Sequence, residues 1–528
     1  MDRAENDIEL AGSWTGMFER SVNKWEELWD NIDIKIDHDR NSQKLIRLHL
    51  YHMFVTASEH FTDQDAGIPP RGLHGEAYRG HIFWDELYIL PLYNIHLPEV
   101  TKASLMYRYR RLDKAREYAK EQGYKGAMFP WQSGSDGREE TQVIHLNPLS
   151  GEWGDDYSSL QRHISIALAY NVWNYFAATR DEEFMIDYGV ELYFEICRFW
   201  ASKAGLDSKS GRYSICKVMG PDEFHEKLPG SEEGGIKNNA YTNIMVSWMF
   251  KKAESLGELL NRDKMRETCK KLGFEEEEIL KWQVIRKKLK LEISGEGIIA
   301  QFEGYFKLKD LDWDYYRKKY NDIHRLDRIL KAEGKSPDNY KLSKQADLLM
   351  LYYNLDKEEI EEVIEEMGYK LPDDYFEANF DYYFNKTTHG STLSRLVHAC
   401  LANLINRKSL SKQLFQEALT SDYVDIQGGT TGEGIHCGVM AGTVYLVLSS
   451  YAGLNLRSDV VKICPKLPES WDKIKFGFKF RDEQYQLVIG EKEIEILIKS
   501  PLQKKINIHL CGKKFPIPVN INNKLTIN

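Results

Sequence analysis

The chain has 528 residues, 42% of them hydrophobic and 29% charged, enough to bury a large core in one main domain and a smaller one. Its 71 basic and 81 acidic side chains give a formal charge of −10 with no basic block, which excludes nucleic acid as a partner. The first residues, Asp2 to Glu9, are charged and polar, and no segment approaches the ~20 apolar residues of a membrane span, so a cytoplasmic protein with no membrane partner is expected. Seven scattered cysteines, none in a C-x-x-C pair, read as small hydrophobes and not as disulfides or a metal site.

From residue 41 to about 456 the apolar spacing is mostly helical, broken by loops rich in Gly, Asp and aromatic residues. One predicted helix runs from Leu45 through Leu48 and His52 to Val55, with Asn41 and Ser42 as its candidate caps. Two loops follow in which aromatic rings stand beside carboxylates, amides and arginines, the mixture that stacks on and hydrogen-bonds to a polyol. They are Tyr78 to Glu86, containing Trp84 and Asp85, and Phe129 to Glu140, containing Trp131.

The run Gly220-Pro221-Asp222-Glu223-Phe224-His225, followed by Asn238 to Asn243, sets one carboxylic acid among fixed polar partners. A glutamate that protonates a departing oxygen needs burial or a neighbouring carboxylate, and Asp222, Phe224 and Tyr241 are placed to supply both. The structural alternative is a turn in which Pro221 and Asp222 open one helix and Asn238 and Asn239 cap another. The acidic runs Glu275 to Glu278 and Glu358 to Glu366 read as solvated helix faces.

Lys344-Gln345-Ala346-Asp347 is a third polar loop of the polyol type. Thr388-His389-Gly390-Ser391-Thr392 and Gly428 to His436 combine glycines, hydroxyls and imidazoles as an anion site does, although each also fits a helix cap, and neither has the order of a nucleotide-binding loop. After about Arg457 the period changes to two: Ile474, Phe476, Phe478 and Phe480, then Tyr485, Leu487 and Ile489, then Ile494, Ile496 and Ile498. An antiparallel β module is expected there, broken at Asp482-Glu483 and Gly490-Glu491.

Taken in order, these segments, together with Trp25 and Trp29, Arg71 to Glu76 and Gln161-Arg162-His163, resemble glycoside hydrolase family 65, which includes inverting phosphorylases of maltose, trehalose and kojibiose. The resemblance implies a mainly α fold: a linker helix segment over 1–40, an (α/α)6 barrel over 41–456 and a small β domain over 457–528. It implies Glu223 as general acid, a glucose subsite of Trp84, Asp85, Trp131, Lys344 and Gln345, and a phosphate site of Ser391, Thr392 and His436, with His389 a weaker addition. No cofactor or metal is implied, only inorganic phosphate as co-substrate. Family members usually begin with a large β-sandwich that has no counterpart here, so a homodimer or a separate sandwich subunit is the expected partner.

The implied reaction is phosphorolysis: Glu223 protonates the glycosidic oxygen while phosphate attacks C1 from the opposite face, giving β-glucose 1-phosphate. Two other readings stand beside it. One is an inverting hydrolase with Glu433 as its base, and the other is an inactive carbohydrate-binding subunit. Lys227 to Lys237 and the turn at Gly134 are expected to shape the acceptor site.

Overall fold

The computed structural model describes residues 2–424, 431–501 and 505–526. Gly428, Gly429 and Thr430 of the expected anion loop lie outside the described residues. Six helices form an inner ring: Glu86–His96, His163–Thr179, Ala240–Leu259, Met350–Asn354, Thr392–Leu404 and Cys437–Leu446. Each contacts the next, and the last returns to the first, so the ring closes. Glu86–His96 is buried at every position, because neighbours cover all its sides and it has no solvent face to make polar.

An outer layer includes Arg40–Thr56, Pro98–Tyr109, Val190–Lys203, Lys357–Glu366 and Lys408–Thr420, each packed on inner helices. The glutamate-rich face of Lys357–Glu366 points outward while Ile360, Val363 and Ile364 are buried, as its charge pattern predicts. This is the (α/α)6 barrel. The Arg40–Thr56 helix starts earlier than its sequence suggested, for the cap is Asp39, whose carboxylate accepts from Ser42 N at 3.0 Å. Asn41 and Ser42 lie inside the first turn. The segment before it holds two helices, Asp2–Ala11 and Trp14–Ile32, the second capped by Ser13.

The C-terminal module covers the end of the barrel where the inner helices finish. Arg481 N donates to Ala178 O, and Lys466 N to Tyr451 O. Its five-stranded antiparallel sheet has the order 35–36, 473–480, 483–490, 493–499, 522–526, so a strand from near the N-terminus completes one edge. The alternating residues Ile474 to Phe480, Tyr485 to Ile489 and Ile494 to Ile498 are the buried face. A second sheet departs from the expected antiparallel module: Lys505–Leu510 runs parallel to Val461–Ile463, and its edge strand, Leu454–Asn455, precedes residue 457. A parallel pair requires a crossover connection, here the whole intervening first sheet, and no periodicity within either strand reports it. Glu483 and Gly490 are strand residues, with the tight turns at Arg481-Asp482 and Glu491-Lys492. Among the described residues no helix is long and apolar enough to cross a membrane.

Burial pushes the imidazoles of His49, His96 and His163 down to about 3 and that of His398 to about 4, so all four fold neutral. The unfolded chain protonates them below about pH 6.5, so the stability they carry is full above that pH and is lost as pH falls toward the folded values. His225, shifted the other way, opposes the trend, as do the Asp347 and Glu226 carboxyls, which burial pushes up, while buried His389, held well below its ordinary value, adds to it. We expect the melting temperature to fall steadily between pH 6.5 and 4.5, each group contributing up to about 1.4 kcal/mol per pH unit. A flat thermal profile over that window would refute the neutral assignments.

Candidate active site

The loops that precede the six inner helices converge at the end of the barrel opposite the β module. They carry Asp85, Gln161 and Arg162, Asn239, Asp347, Ser391 and His436 respectively. The barrel thereby gathers motifs that lie hundreds of residues apart.

Glu223 sits on a tight turn with a left-handed backbone, φ +61°. Pro221 and Asp222 do not open a helix; the turn is built around the Asp222 carboxylate, which accepts from Phe224 N and His225 N at 3.1 and 3.3 Å. Its other oxygen meets His225 Nδ1 at 2.5 Å and also accepts from Gln301 Nε2. His225 Nε2 donates to Tyr340 O at 3.0 Å. Burial opposes protonation of this imidazole, but the Asp222 carboxylate outweighs it and raises His225 above its ordinary value. With acceptors on both nitrogens, His225 is an imidazolium and Asp222 its counter-ion. Gly220 is required by the approach of Asp347, since a Cβ there would stand 2.0 Å from Asp347 Oδ2.

The carboxylate pair expected between Asp222 and Glu223 therefore forms elsewhere. Burial, and then the Asp222 charge, push the Asp347 carboxyl well above the usual carboxylate range. Asp347 accepts from Asn239 Nδ2 at 2.8 Å and from Asp222 N at 3.3 Å, bracing the turn from below. Asn239 also caps the helix Ala240–Leu259, as expected, while Asn238 instead takes a left-handed conformation and bonds Glu303 and Ser214.

Glu223 faces Lys344 and Gln345. Lys344 Nζ lies 2.7 Å from Glu223 Oε2 and Gln345 Nε2 lies 2.9 Å from Oε1. Both residues, expected by resemblance in the glucose subsite, hold the Glu223 carboxylate. The Lys344 backbone joins two loops: its N donates to Asp222 O, and its O accepts from Gly390 N at 2.9 Å. Gly390 is the only residue type that fits, because a Cβ would stand 2.2 Å from His324 O.

On the other side of the mouth, Asp85 Oδ1 lies 2.7 Å from His436 Nε2, and His436 Nδ1 lies 2.7 Å from Thr392 Oγ1. Residues expected at the glucose subsite and at the phosphate site thus form one hydrogen-bonded chain. Ser391 caps the helix Thr392–Leu404 by accepting from Leu393 N at 3.3 Å, so its hydroxyl proton is not used by the cap, at a helix N-terminus suited to an anion. His389 has a left-handed backbone and packs its ring on His398 and Phe384, with Nδ1 2.9 Å from Ser394 Oγ. Burial first, then His398 and Arg395, hold it well below its ordinary value, so it is a neutral ring and not a cation.

Trp84 and Trp131 are 3% and 6% exposed, with ring centroids 6.1 Å apart. Buried His163 packs edge-on against both, at 4.8 and 5.2 Å, and fixes their tilt. Glu86, next to Asp85, is structural: it pairs with buried Arg108 and accepts from Ser104. Glu139 likewise organises its own loop by accepting from Trp131 N and Gln132 N.

Glu433 is half exposed and ion-paired to Arg71 at 2.9 Å, while Arg71 also donates to Gly434 O. Tyr78 lies between these groups, with Arg71, Asp85, Glu223 and Glu433 as its electrostatic neighbours. Arg71, Tyr78 and His163 stood in recognisable segments but had no assigned role.

The model of the glycosyl hydrolase family 65 central catalytic domain matches residues 47–445, and that of the family's C-terminal domain matches 454–517. The chain is 44% identical over 493 residues to trehalose 6-phosphate phosphorylase of Lactococcus lactis, covering 92% of this chain and 62% of that one. It is 43% identical over 509 residues to an uncharacterised glycosyl hydrolase of Mycobacterium tuberculosis, covering 96% and 38%. Kojibiose phosphorylase of Caldanaerobacter subterraneus is 32% identical over 514 residues, with 94% and 62% covered. The chain therefore spans between 38% and 62% of the length of these relatives. A solved structure titled a putative kojibiose phosphorylase from human microbiome superposes with a TM-score of 0.82 at 24% identity, covering 99% of this chain and 72% of that one, which establishes the shared fold.

Proposed function

Because this chain belongs to glycosyl hydrolase family 65, we propose that it carries out inverting phosphorolysis of an α-linked glucose disaccharide of the trehalose, kojibiose or maltose type. The products are β-D-glucose 1-phosphate and a free acceptor sugar. The observation that carries this reading is the continuous chain from Asp85 through His436 to Thr392, facing a single acid, Glu223. The Ser391 hydroxyl and the N-terminus of the helix Thr392–Leu404 offer donors that suit an anion, whereas an inverting hydrolase needs a second free carboxylate.

Asp85 Oδ1 and Thr392 Oγ1 hold the two ring nitrogens of His436, so the imidazole is fixed in orientation between the two ends of the chain and links the Thr392 hydroxyl to Asp85. Glucose binds over Trp84 and Trp131 with hydroxyls on Asp85. Glu223 must exchange its Lys344 contact for a proton before it can donate to the glycosidic oxygen. Phosphate, already an anion, needs no base.

Glu433 supports hydrolysis less well, since its carboxylate is tied to Arg71 and part of the strut that joins two loops. The intact acid turn likewise favours an enzyme over a binding subunit. The test is glucose release from trehalose, trehalose 6-phosphate, kojibiose and maltose with and without inorganic phosphate. We expect turnover of one of them only with phosphate, and β-glucose 1-phosphate as product. Full-rate release of free β-glucose in phosphate-free buffer overturns the reading in favour of hydrolysis.

A further inference from the structure

Cys464 and Cys511 follow the two strands of the parallel pair in the β module. Leu510 is registered with Ile463, and Cys511 N donates to Ile463 O at 2.9 Å, so the ladder runs one step past the strands and sets the two cysteines side by side. Adjacent strands lie ~4.8 Å apart, inside the Cα separation that a disulfide bridges. The two sulfurs are 2.7 Å apart and both residues are exposed. They are not the small hydrophobe that sequence suggested for each cysteine, and the 47 positions between them hid the pairing. Cys464 is also fixed from its other side: its N donates to Gly453 O at 2.9 Å, and its carbonyl would stand 2.0 Å from a Cβ on Gly453. Cys511 occupies a position for which cysteine has no backbone preference. Leu510 pairs with Lys513, so Cys511 and Gly512 are the two central residues of a hairpin turn. Both have positive φ, +45° and +82°, as in the primed turns where Asn-Gly or Asp-Gly is usual. A left-handed cysteine costs backbone energy, and what its side chain reaches from there is the other sulfur.

We propose that Cys464 and Cys511 are a reversible oxidation site, which a small-molecule disulfide such as oxidised glutathione converts to an internal disulfide that staples the β module. Partial desolvation, and then the Cys464 contact, push the Cys511 thiol up to about 11, so Cys511 keeps its proton while Cys464 attacks first. The Cys464 thiolate attacks one sulfur of the small disulfide and releases one glutathione thiolate; Cys511 then attacks Cys464 Sγ and expels the second. The two thiol protons pass to the two released thiolates, so the protein loses two electrons and two protons and the small disulfide gains them. The bridge closes a loop that contains the strands 473–480, 483–490 and 493–499, which removes conformations from the unfolded module. Two residues beyond Cys464, Lys466 N donates to Tyr451 O, one of the bonds that seat the module on the barrel, so the staple secures that seat. The pair lies at the β-module end of the barrel, and oxidation there acts on stability, away from the Glu223 turn.

The test exposes the whole chain to oxidised glutathione, maps its unreduced peptides by mass spectrometry and follows its melting by calorimetry. We expect one linked pair of peptides containing Cys464 and Cys511, lighter by two hydrogens, with no glutathione on either cysteine and full reversal by dithiothreitol. The oxidised protein should melt roughly 2–5 °C above the reduced one, as for a bridge that closes a long loop. Cys511→Asn supplies the control, because asparagine suits the turn and keeps the variant folded. It should trap Cys464 as its mixed disulfide with glutathione and abolish the effect of the oxidant on melting. Glutathione on Cys464 and Cys511 separately, or both thiols still free after prolonged exposure, overturns the pairing. An oxidised wild type that melts no higher than the reduced protein overturns the staple.

Discussion

Glu223→Gln is expected to lower turnover of an unactivated α-glucoside roughly 10²- to 10⁴-fold, the usual cost of removing a general acid, while glucose still binds. The amide preserves shape, and Gln345 Nε2 can still donate to its oxygen, but it has no proton to give to the leaving group. A glucosyl donor with a good leaving group, such as an aryl or fluoride, needs little protonation and should keep most of its rate. The Lys344 contact sharpens the test. Lys344 is 2.7 Å from Glu223, so Lys344→Ala would alter the same step by freeing the acid and by removing a sugar contact together. Glu223→Gln keeps the Lys344 side chain, although the amide's one oxygen can serve only one of the two donors, so the Lys344 ion pair is lost with the proton. Steady-state rates on a natural disaccharide within a few-fold of wild type would remove Glu223 from the role.

What the sequence made legible follows from periodicity and local chemistry. The Glu223 turn, the aromatic loops and the alternating strands each declare themselves within a dozen residues. The closed ring of inner helices is consistent with the apolar loading of Glu86–His96 and His163–Thr179, whose surroundings forbid a polar face. Pairings over long separations were not legible. Asp347 and Asp222 are 125 residues apart, and only the fold shows that Asp347, not Glu223, receives the neighbouring carboxylate. Arg71 and Glu433 meet across 362 residues, turning a candidate base into half of an ion pair. The parallel strand pair and the edge strand Lys35–Ile36 are hidden for the same reason: register between distant strands leaves no mark on either one alone.

The Asp85–His436 bond carries the other large consequence. From sequence, the glucose subsite and the phosphate site are separable, so a change in one would spare the other. The two are a single hydrogen-bonded chain across 351 residues, and a variant at either end should disturb both. Asp85→Asn removes the charged acceptor and can present its amide nitrogen to Nε2, reversing the direction of that bond. The ring proton then sits on Nδ1 and donates to Thr392 Oγ1, so the Thr392 hydroxyl is re-aimed and the change at the Asp85 end reaches Thr392. We expect Asp85→Asn to raise KM for inorganic phosphate and the inhibition constant of glucose together, each roughly 10- to 100-fold, as for a lost charge-assisted hydrogen bond. His436→Ala should produce the same paired loss, whereas Trp131→Ala, which touches no member of the chain, should weaken glucose alone. Should Asp85→Asn weaken glucose binding while phosphate saturation is unchanged, His436 does not relay the change to Thr392, and the two subsites act independently.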